Sequence, residues 1–293
     1  MHQEQTMVEE DSRFERAARA GTSPPDATGD RSLEHGTGHG VRAVRMLRLG
    51  LHLARGVWLA ALVYPHCPPE RQHAMIQDWS RRLLHILNIE LRCYGQPSAL
   101  PAKCLLVANH VSWLDIFAIS AVFPATFVAK AEVRGWPFVG TICERTGTIF
   151  VDRGSARGAR RANREIAHAL DRGARPVVVY PEGTTTLGAG LMPFRPALLQ
   201  SAVDTAASVR PLALRYVDPQ GARTEAPAWV GDATLLDSII ALVKLPGIVL
   251  ELHFLAAWSG GGHTRGEIAI RAQTVIARAL AIESEPAPCA ESA

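Results

Sequence analysis

Cys104-Leu105-Leu106-Val107-Ala108-Asn109-His110-Val111-Ser112-Trp113-Leu114-Asp115 joins an apolar run to a short polar turn and then to a helical pattern. An apolar run of this length bounded by turn residues reads as a buried strand. A helix opening directly after it reads as the layer that covers the strand. The same alternation extends outward on both sides. Short β-rich runs fall at 89–94, 126–129, 148–151, 177–180, 211–217 and 249–255, around the central 104–108. Helical patterns fall at 114–122, 156–170, 196–207, 234–243 and 264–280. Strands alternating with helices predict an α/β domain, a mixed sheet flanked by helices, over residues 89–282.

Within the opening stretch, His110 and Asp115 are five residues apart. On a regular helix that is ~500° of rotation, leaving them about 140° apart, so they would not meet. They meet if the chain turns between them. Ser112, three before Asp115, has the pattern of a capping box and predicts a helix start there. His110 then lies on the strand-to-helix turn and Asp115 in the first helical turn. A carboxylate so placed can hold one imidazole tautomer and leave the other nitrogen as a base. A capped turn with a hydrogen-bonded histidine would give the same pattern.

Two more segments follow apolar runs. Tyr180-Pro181-Glu182-Gly183-Thr184-Thr185-Thr186 brings small residues and hydroxyls to a strand end, where backbone N–H groups can approach an anion. An ordinary glycine turn fits it as well, and it lacks the GxxxxGK[ST] pattern of a Walker loop. Gly147-Thr148-Ile149-Phe150-Val151-Asp152-Arg153 ends a strand in an Asp-Arg pair. Arg153 could offer a bidentate fork to a phosphate, or simply pair at the surface.

The chain has 293 residues and a net charge of +3, with 47% hydrophobic and 20% charged residues. These values exclude a mostly disordered chain and a disulfide-stapled miniprotein. The near-neutral average hides a segregation. Residues 1–40 carry eight acidic and four basic residues among Gly, Pro, Ser and Thr clusters, and read as a disordered tail. Residues 283–293 read as a second tail. Residues 41–100 carry eight basic and three acidic residues.

Arg42, Arg45, Arg48, His52 and Arg55 form a polar stripe on a helix whose other faces are apolar. From Gly56 to Tyr64 there is no polar break. The stretch 46–64 would measure roughly 28 Å at ~1.5 Å per residue, close to a bilayer core. Its basic first half fits an interfacial helix better than a clean crossing. A helix packed on the domain with a solvated basic face fits the pattern too. A second amphipathic helix is predicted over about 70–87. The five cysteines, Cys67, Cys93, Cys104, Cys143 and Cys289, form no CxxC pair and read as reduced structural thiols. No secretory signal is expected in the polar first forty residues. The histidines form no metal-ligand pattern such as HExxH, so no metal is called for.

Taken in order, Asn109-His110-Val111-Ser112-Trp113-Leu114-Asp115, the Asp152-Arg153 pair after a β run, Tyr180-Pro181-Glu182-Gly183-Thr184 and the β run around Pro211 resemble the four motifs of the glycerolipid acyltransferase family. The stretch from Lys130-Ala131-Glu132 through Trp136-Pro137 to Gly140 is similar too. The resemblance covers about residues 80–255. It implies a glycerophosphate-acyltransferase-like fold preceded by membrane-associating helices over 41–88. It implies acyl transfer from acyl-CoA or acyl carrier protein to the hydroxyl of 1-acylglycerol-3-phosphate, with no cofactor and no nucleic acid. His110 would be the general base and Asp115 its orienting partner. Arg153 would hold the acceptor phosphate, Glu182, Gly183 and Thr184 would shape the acceptor site, and Lys130 would add positive charge. The enzyme would be membrane-associated, on the cytoplasmic face of a bacterial inner membrane. One departure bears on the acceptor. The third motif usually reads FPEGTRS, and here Tyr180 replaces Phe while Thr185 and Thr186 replace Arg-Ser. That implies a head group held differently, or one without phosphate, as in a lyso-ornithine lipid or another lysolipid.

Overall fold

The computed structural model describes residues 37–96, 100–136, 139–152 and 155–281. Of the readings of residues 1–40 and 283–293 as tails, residues 1–36 and 283–293, with Cys289, fall outside these residues; residues 37–40 are described instead as structured, with Thr37 N–H donating to Lys244 O at 3.1 Å and a helix beginning at His39.

The central strand β2 (Cys104–Ala108) is buried along its whole length, as a strand covered on both faces must be. It lies between β5 (Val177–Val179) and β6 (Ser208–Val217), parallel to both. The sheet order is β1-β7-β6-β2-β5-β3-β4, where β1 is Ile89–Tyr94, β3 Thr126–Lys130, β4 Ile149–Val151 and β7 Ile248–Phe254. The block β6-β2-β5-β3-β4 is parallel. β7 runs antiparallel to β6, and β1 pairs parallel with β7. The sheet is therefore mixed and flanked by helices, as the alternation predicts.

Side-chain alternation along β2 explains the two cores. Cys104, Leu106 and Ala108 join one apolar cluster, and Leu105 and Val107 join the other. The first face is covered by α2 (Pro69–Ile86), α3 (Leu114–Val122) and α7 (Leu235–Lys244), through side chains such as Leu83, Leu114, Ala118 and Leu242. The second is covered by α5 (Ala156–Arg172) and α8 (Arg265–Leu280). Ala162, Ile166 and Leu170 recur every four residues on α5 and are fully buried. Thr264 and Glu267 close a reciprocal capping box at the start of α8, the device that satisfies two orphan N–H groups. Each large aliphatic side chain so buried contributes about 1.5–3 kcal/mol.

The expected run from 211 is longer, because β6 begins at Ser208 and carries Pro211 inside it. Proline in an inner strand loses a ladder donor. Here the Pro211 carbonyl accepts from Leu255 N–H at 3.1 Å. Leu255 lies in the break between β7 and the two-residue β8 (Trp258–Ser259), which pairs with the start of β6. The missing donor thus faces the interruption in that ladder. The expected helix over 196–207 divides into a 3-10 turn, Pro196–Leu199, and a short α6, Gln200–Asp204. The sequence reading missed α4, Val139–Thr146. The four described cysteines are free.

The N-terminal segment is one helical run. α1 (His39–Trp58) continues as a π-turn, Leu59–Val63, and a 3-10 turn, Tyr64–His66. It is long and apolar enough to cross a membrane by length and composition. The basic stripe is not one solvated face. His52 is buried and stacks on Trp79 of α2, with ring centroids 4.5 Å apart. Its Nε2 lies 3.0 Å from the Trp79 carbonyl. Arg45 donates from Nη1 to Leu245 O at 2.6 Å, just past the end of α7, where a cation meets the negative end of the helix dipole. A Cβ on Gly56 would lie 2.5 Å from Trp79 Nε1, so only glycine permits this approach. Arg48 and Arg55 stay exposed, beside an exposed apolar strip. Leu47 and Leu51 are each 64% exposed, and Val44, Trp58 and Leu62 are exposed with them.

Candidate active site

The ends of the parallel strands bring the expected site together. Ligands of open α/β sheets bind outside the carboxyl ends of the strands. The Asn109–Asp115 segment, the Tyr180–Thr186 segment and Lys130 lie there, at the ends of β2, β5 and β3.

Asn109 ends β2 in a fixed way. Its Nδ2 donates to Leu214 O at 3.0 Å, and its Oδ1 accepts from Leu214 N–H at 2.8 Å. The buried amide thus continues the ladder to β6 by one step. Ala108 pairs with Leu212, and β6 runs on to Val217. This overrun carries Tyr216 to the first turn of α3.

There Asp115 is 0% exposed. Its Oδ2 lies 2.7 Å from His110 Nδ1 and accepts from Val111 N–H at 2.8 Å and Ser112 N–H at 3.0 Å. Its Oδ1 accepts from Tyr216 Oη–H at 2.6 Å. Burial, then the Asp115 charge, holds the Tyr216 phenol well above its usual range, so it stays a neutral donor. An ionised carboxylate only accepts, so this contact assigns the proton to His110 Nδ1 and leaves the Nε2 lone pair outward. The His110 side chain is 18% exposed. The predicted capping box is half-formed. Asp115 accepts from Ser112 N–H, but the Ser112 hydroxyl accepts from Leu114 N–H at 3.4 Å and the helix cap is Trp113. The carboxylate is shared with the imidazole, which draws the turn tighter than a simple cap.

The segment after β5 grips the same histidine. The Tyr180 ring stacks on the imidazole, with centroids 4.0 Å apart and planes 14° from parallel. Glu182, 1% exposed, accepts His110 N–H at 2.7 Å through Oε1 and Met192 N–H at 3.0 Å through Oε2. Burial pushes the Glu182 carboxyl up to about 8, against the two N–H donors that favour its ionised form, while the Asp115 charge adds to the rise. Thr186 N–H donates to His110 O at 2.8 Å. His110 is therefore clamped at ring, N–H and carbonyl. Gly183 has φ +77°, the left-handed region that favours glycine, and Thr184 is exposed beside it. Thr185 is directed elsewhere, its hydroxyl donating to Trp229 O, while Trp229 N–H donates to Val111 O at 3.0 Å.

Lys130, at the end of β3, is exposed and in register with Val151 of β4. Two strand spacings separate β2 from β3, roughly 10 Å. Asp152 follows β4, and Arg153 lies outside the described residues. Tyr216 was missed in the sequence. Its signal there was weak, one phenol within an apolar strand. The stacking role of Tyr180 left no sequence signal beyond its place in the motif.

Nucleophile activation is what the described arrangement offers directly: an outward imidazole nitrogen, with its other nitrogen tied to a buried carboxylate. Comparison with known proteins agrees with that chemistry. The sequence model of the family described as Acyltransferase matches residues 90–215. The chain is 43% identical over 181 residues to a 1-acyl-sn-glycerol-3-phosphate acyltransferase of Neisseria meningitidis, covering 61% of this chain and 70% of that one. It is 37% identical over 240 residues to a lyso-ornithine lipid O-acyltransferase of Pseudomonas aeruginosa, covering 82% and 91%. Among solved structures, the 1-acyl-sn-glycerophosphate acyltransferase of Thermotoga maritima superposes with a TM-score of 0.60, over 82% of this chain and 96% of that one. At 19% identity that likeness is one of fold.

Proposed function

The chain belongs to the acyltransferase family, and on that premise we propose that it acylates the free hydroxyl of 1-acylglycerol-3-phosphate, giving phosphatidate. The donor is an acyl thioester, acyl-CoA or acyl carrier protein. The observation that carries the reading is the 2.7 Å contact between His110 Nδ1 and Asp115 Oδ2, with Nε2 left to act.

His110 Nε2 takes the proton of the acceptor hydroxyl as its oxygen attacks the thioester carbonyl. Asp115 holds Nδ1–H and stabilises the imidazolium that forms. The tetrahedral adduct collapses, the C–S bond breaks, and the imidazolium returns its proton to the leaving thiolate. The acceptor is itself the nucleophile, so no acyl-enzyme is required. A base positioned in this way is worth ~10²–10⁴-fold. Tyr180 and Glu182 fix the ring and main chain of His110. Gly183 and Thr184 border the acceptor, and Lys130 and Arg153 draw its anionic head group.

The exposed apolar side of α1 supports placement at a membrane surface, where the lipid acceptor and product reside. The cytoplasmic leaflet suits a thioester donor.

A second reading keeps the chemistry and changes the acceptor to a lyso-ornithine lipid. Thr185 favours it, since the position that could carry a phosphate-binding arginine holds a hydroxyl bonded to Trp229. Both readings are tested by offering the purified protein a labelled acyl thioester with lysophosphatidate and lyso-ornithine lipid in competition. Labelled phosphatidate as the main product supports the first reading, and acylated ornithine lipid the second. Release of labelled fatty acid alone, independent of either lipid, would make the protein a thioesterase and sink both.

A further inference from the structure

The outer face of α5 carries charge that the fold itself does not use. Arg157, Arg160, Arg161 and Arg164 occupy its first half, and its first turn holds no acidic residue. At ~100° per residue the four lie within about 100° of one another around the axis, opposite the buried Ala162, Ile166 and Leu170. All four are exposed. Arg161 pairs with Glu165 at 2.8 Å. Arg157, Arg160 and Arg164 have no ion pair among the described residues. The arrangement works against the helix twice. Arg157 with Arg161, and Arg160 with Arg164, are like charges at i, i+4, which repel. Cations near a helix N-terminus also oppose the macrodipole. Charge kept at a local cost is the mark of a functional surface.

The basic face continues past α5. A cleft of about 380 Å³ runs between α5, α6 and the start of α8, lined by Arg160, Arg164 and Arg265. Asn163 fixes its walls, since Nδ2 donates to Ala197 O at 2.6 Å and Oδ1 accepts from Ser201 N–H at 3.1 Å. Asp204 lines the cleft too, and its carboxylate accepts from Gln200 Nε2 at 2.8 Å. From Arg157 to Arg164 the cations spread over roughly 10 Å of helix, and Arg265 extends them to a second helix. A single phosphate is gripped by convergent donors. A spread row of cations instead complements a row of carboxylates on a protein surface.

The position of the face suits delivery to the site. α5 begins just after β4, at the end of the sheet where His110 lies. Three strand spacings, roughly 14 Å, separate β2 from β4. The sheet stands between α5 and α1, because Leu49 of α1 joins the first apolar cluster and Ala162 of α5 joins the second. The arginines therefore belong to the layer opposite the exposed apolar strip of α1, which favours a soluble partner over an anionic bilayer. We propose that this face of α5 docks a small acidic carrier protein, which presents the acyl group as a thioester on a flexible arm. The donor is then an acyl carrier protein rather than acyl-CoA. The inference rests on the reading that an acyl thioester is the donor.

The test uses the full chain in detergent micelles, as wild type, as Arg160→Glu with Arg164→Glu, and as Arg160→Lys with Arg164→Lys. Initial rates of lysolipid acylation are measured with acyl carrier protein and with acyl-CoA as donors. Binding of unacylated holo-acyl carrier protein, binding of anionic vesicles and the melting temperature are measured in parallel. Charge reversal is expected to raise the KM for acylated carrier protein and the Kd of the holo form at least about tenfold, by replacing two attractions with two repulsions. The kcat, the acyl-CoA KM and vesicle binding stay within about twofold, the lysine pair stays near wild type, and Tm does not fall. Added salt weakens carrier binding more steeply in wild type than in the reversed variant. Failure of wild type to bind the carrier protein, or equal Kd in wild type and the reversed variant, would overturn the proposal. So would a parallel rise in the acyl-CoA KM, which would make the face a phosphate site, or a loss of vesicle binding alone, which would make it a membrane contact. If the wild type acylates no lysolipid from either donor, the acyl-transfer reading fails on its own, and the carrier-binding arm still decides the docking face.

Discussion

Replacing Asp115 by asparagine should separate the charge of the site from its geometry. Oδ2 faces three donors, and two of them are main-chain N–H groups in a pinned turn. An amide must therefore put its oxygen at that position, since its NH2 would meet three hydrogens. The NH2 then faces Tyr216, whose hydroxyl can rotate and accept. The variant keeps the fold and the Nδ1–H tautomer of His110 and loses the negative charge alone. Unit charges about 4 Å apart at an effective dielectric near 20 interact by about 4 kcal/mol. Part of that is replaced by the amide dipole, so kcat should fall about 10²- to 10³-fold at roughly 1.4 kcal/mol per decade. The assay is the initial rate of acyl transfer at saturating acceptor, beside a melting curve. Nitrogen-15 NMR of the His110 ring reports whether Nδ1 keeps its proton. A kcat within about threefold of wild type, with the fold and tautomer intact, would refute the electrostatic role of Asp115. Asp115→Ala is the contrasting case. It strands four buried donors, each at about 1–3 kcal/mol, and should lower Tm sharply.

Other consequences are more local. The Tyr180 hydroxyl is buried with no hydrogen-bond partner among the described residues, so Tyr180→Phe should keep the stack on His110 and raise stability by about 1 kcal/mol, read as a higher Tm with activity retained; a lower Tm would show that the hydroxyl has a role. The Glu182 carboxyl is raised to about 8 from 4.5, so the folded state binds more protons than the unfolded one across that window. Stability from this group is highest near the acid end and is lost as pH rises from about 4.5 to 8. Chemical denaturation in Glu182→Gln should show a flatter pH dependence over that range, and an unchanged slope would contradict the assignment. Leu47→Glu with Leu51→Glu removes two exposed apolar contacts from α1. Each buried leucine is worth about 1.5–3 kcal/mol, so flotation with anionic vesicles should show at least about a tenfold loss of binding, with Tm unchanged; equal flotation would place the membrane contact elsewhere.

The layered fold was readable because its strands and helices differ in hydrophobic period. β2 is an unbroken apolar run, and α5 repeats Ala162, Ile166 and Leu170 at helical spacing. Pro211 hid the first three residues of β6, because the break between β7 and β8 that tolerates it comes from residues 255–257, far along the chain. The meeting of His110 with Asp115 was legible as one of two outcomes of a tight turn, since both residues are local. Tyr216 was not. It reaches the site only through tertiary pairing, by the overrun of β6 past β2. The basic stripe of α1 misled for a related reason. His52 and Arg45 are polar in sequence, yet their partners are Trp79 and the carbonyl past α7, so the solvent-facing side keeps only Arg48 and Arg55 of the stripe beside exposed leucines.

The most direct measurement is the rate of O-acylation of a lysolipid by the purified wild type and by His110→Ala, with products identified by mass spectrometry and melting curves as the control on folding. Wild type is expected to form diacylated lipid from a thioester and a lysolipid, and His110→Ala to do so about 10²- to 10⁴-fold more slowly with its fold retained. Equal rates from the two proteins would show that the imidazole held by Asp115 is not the base.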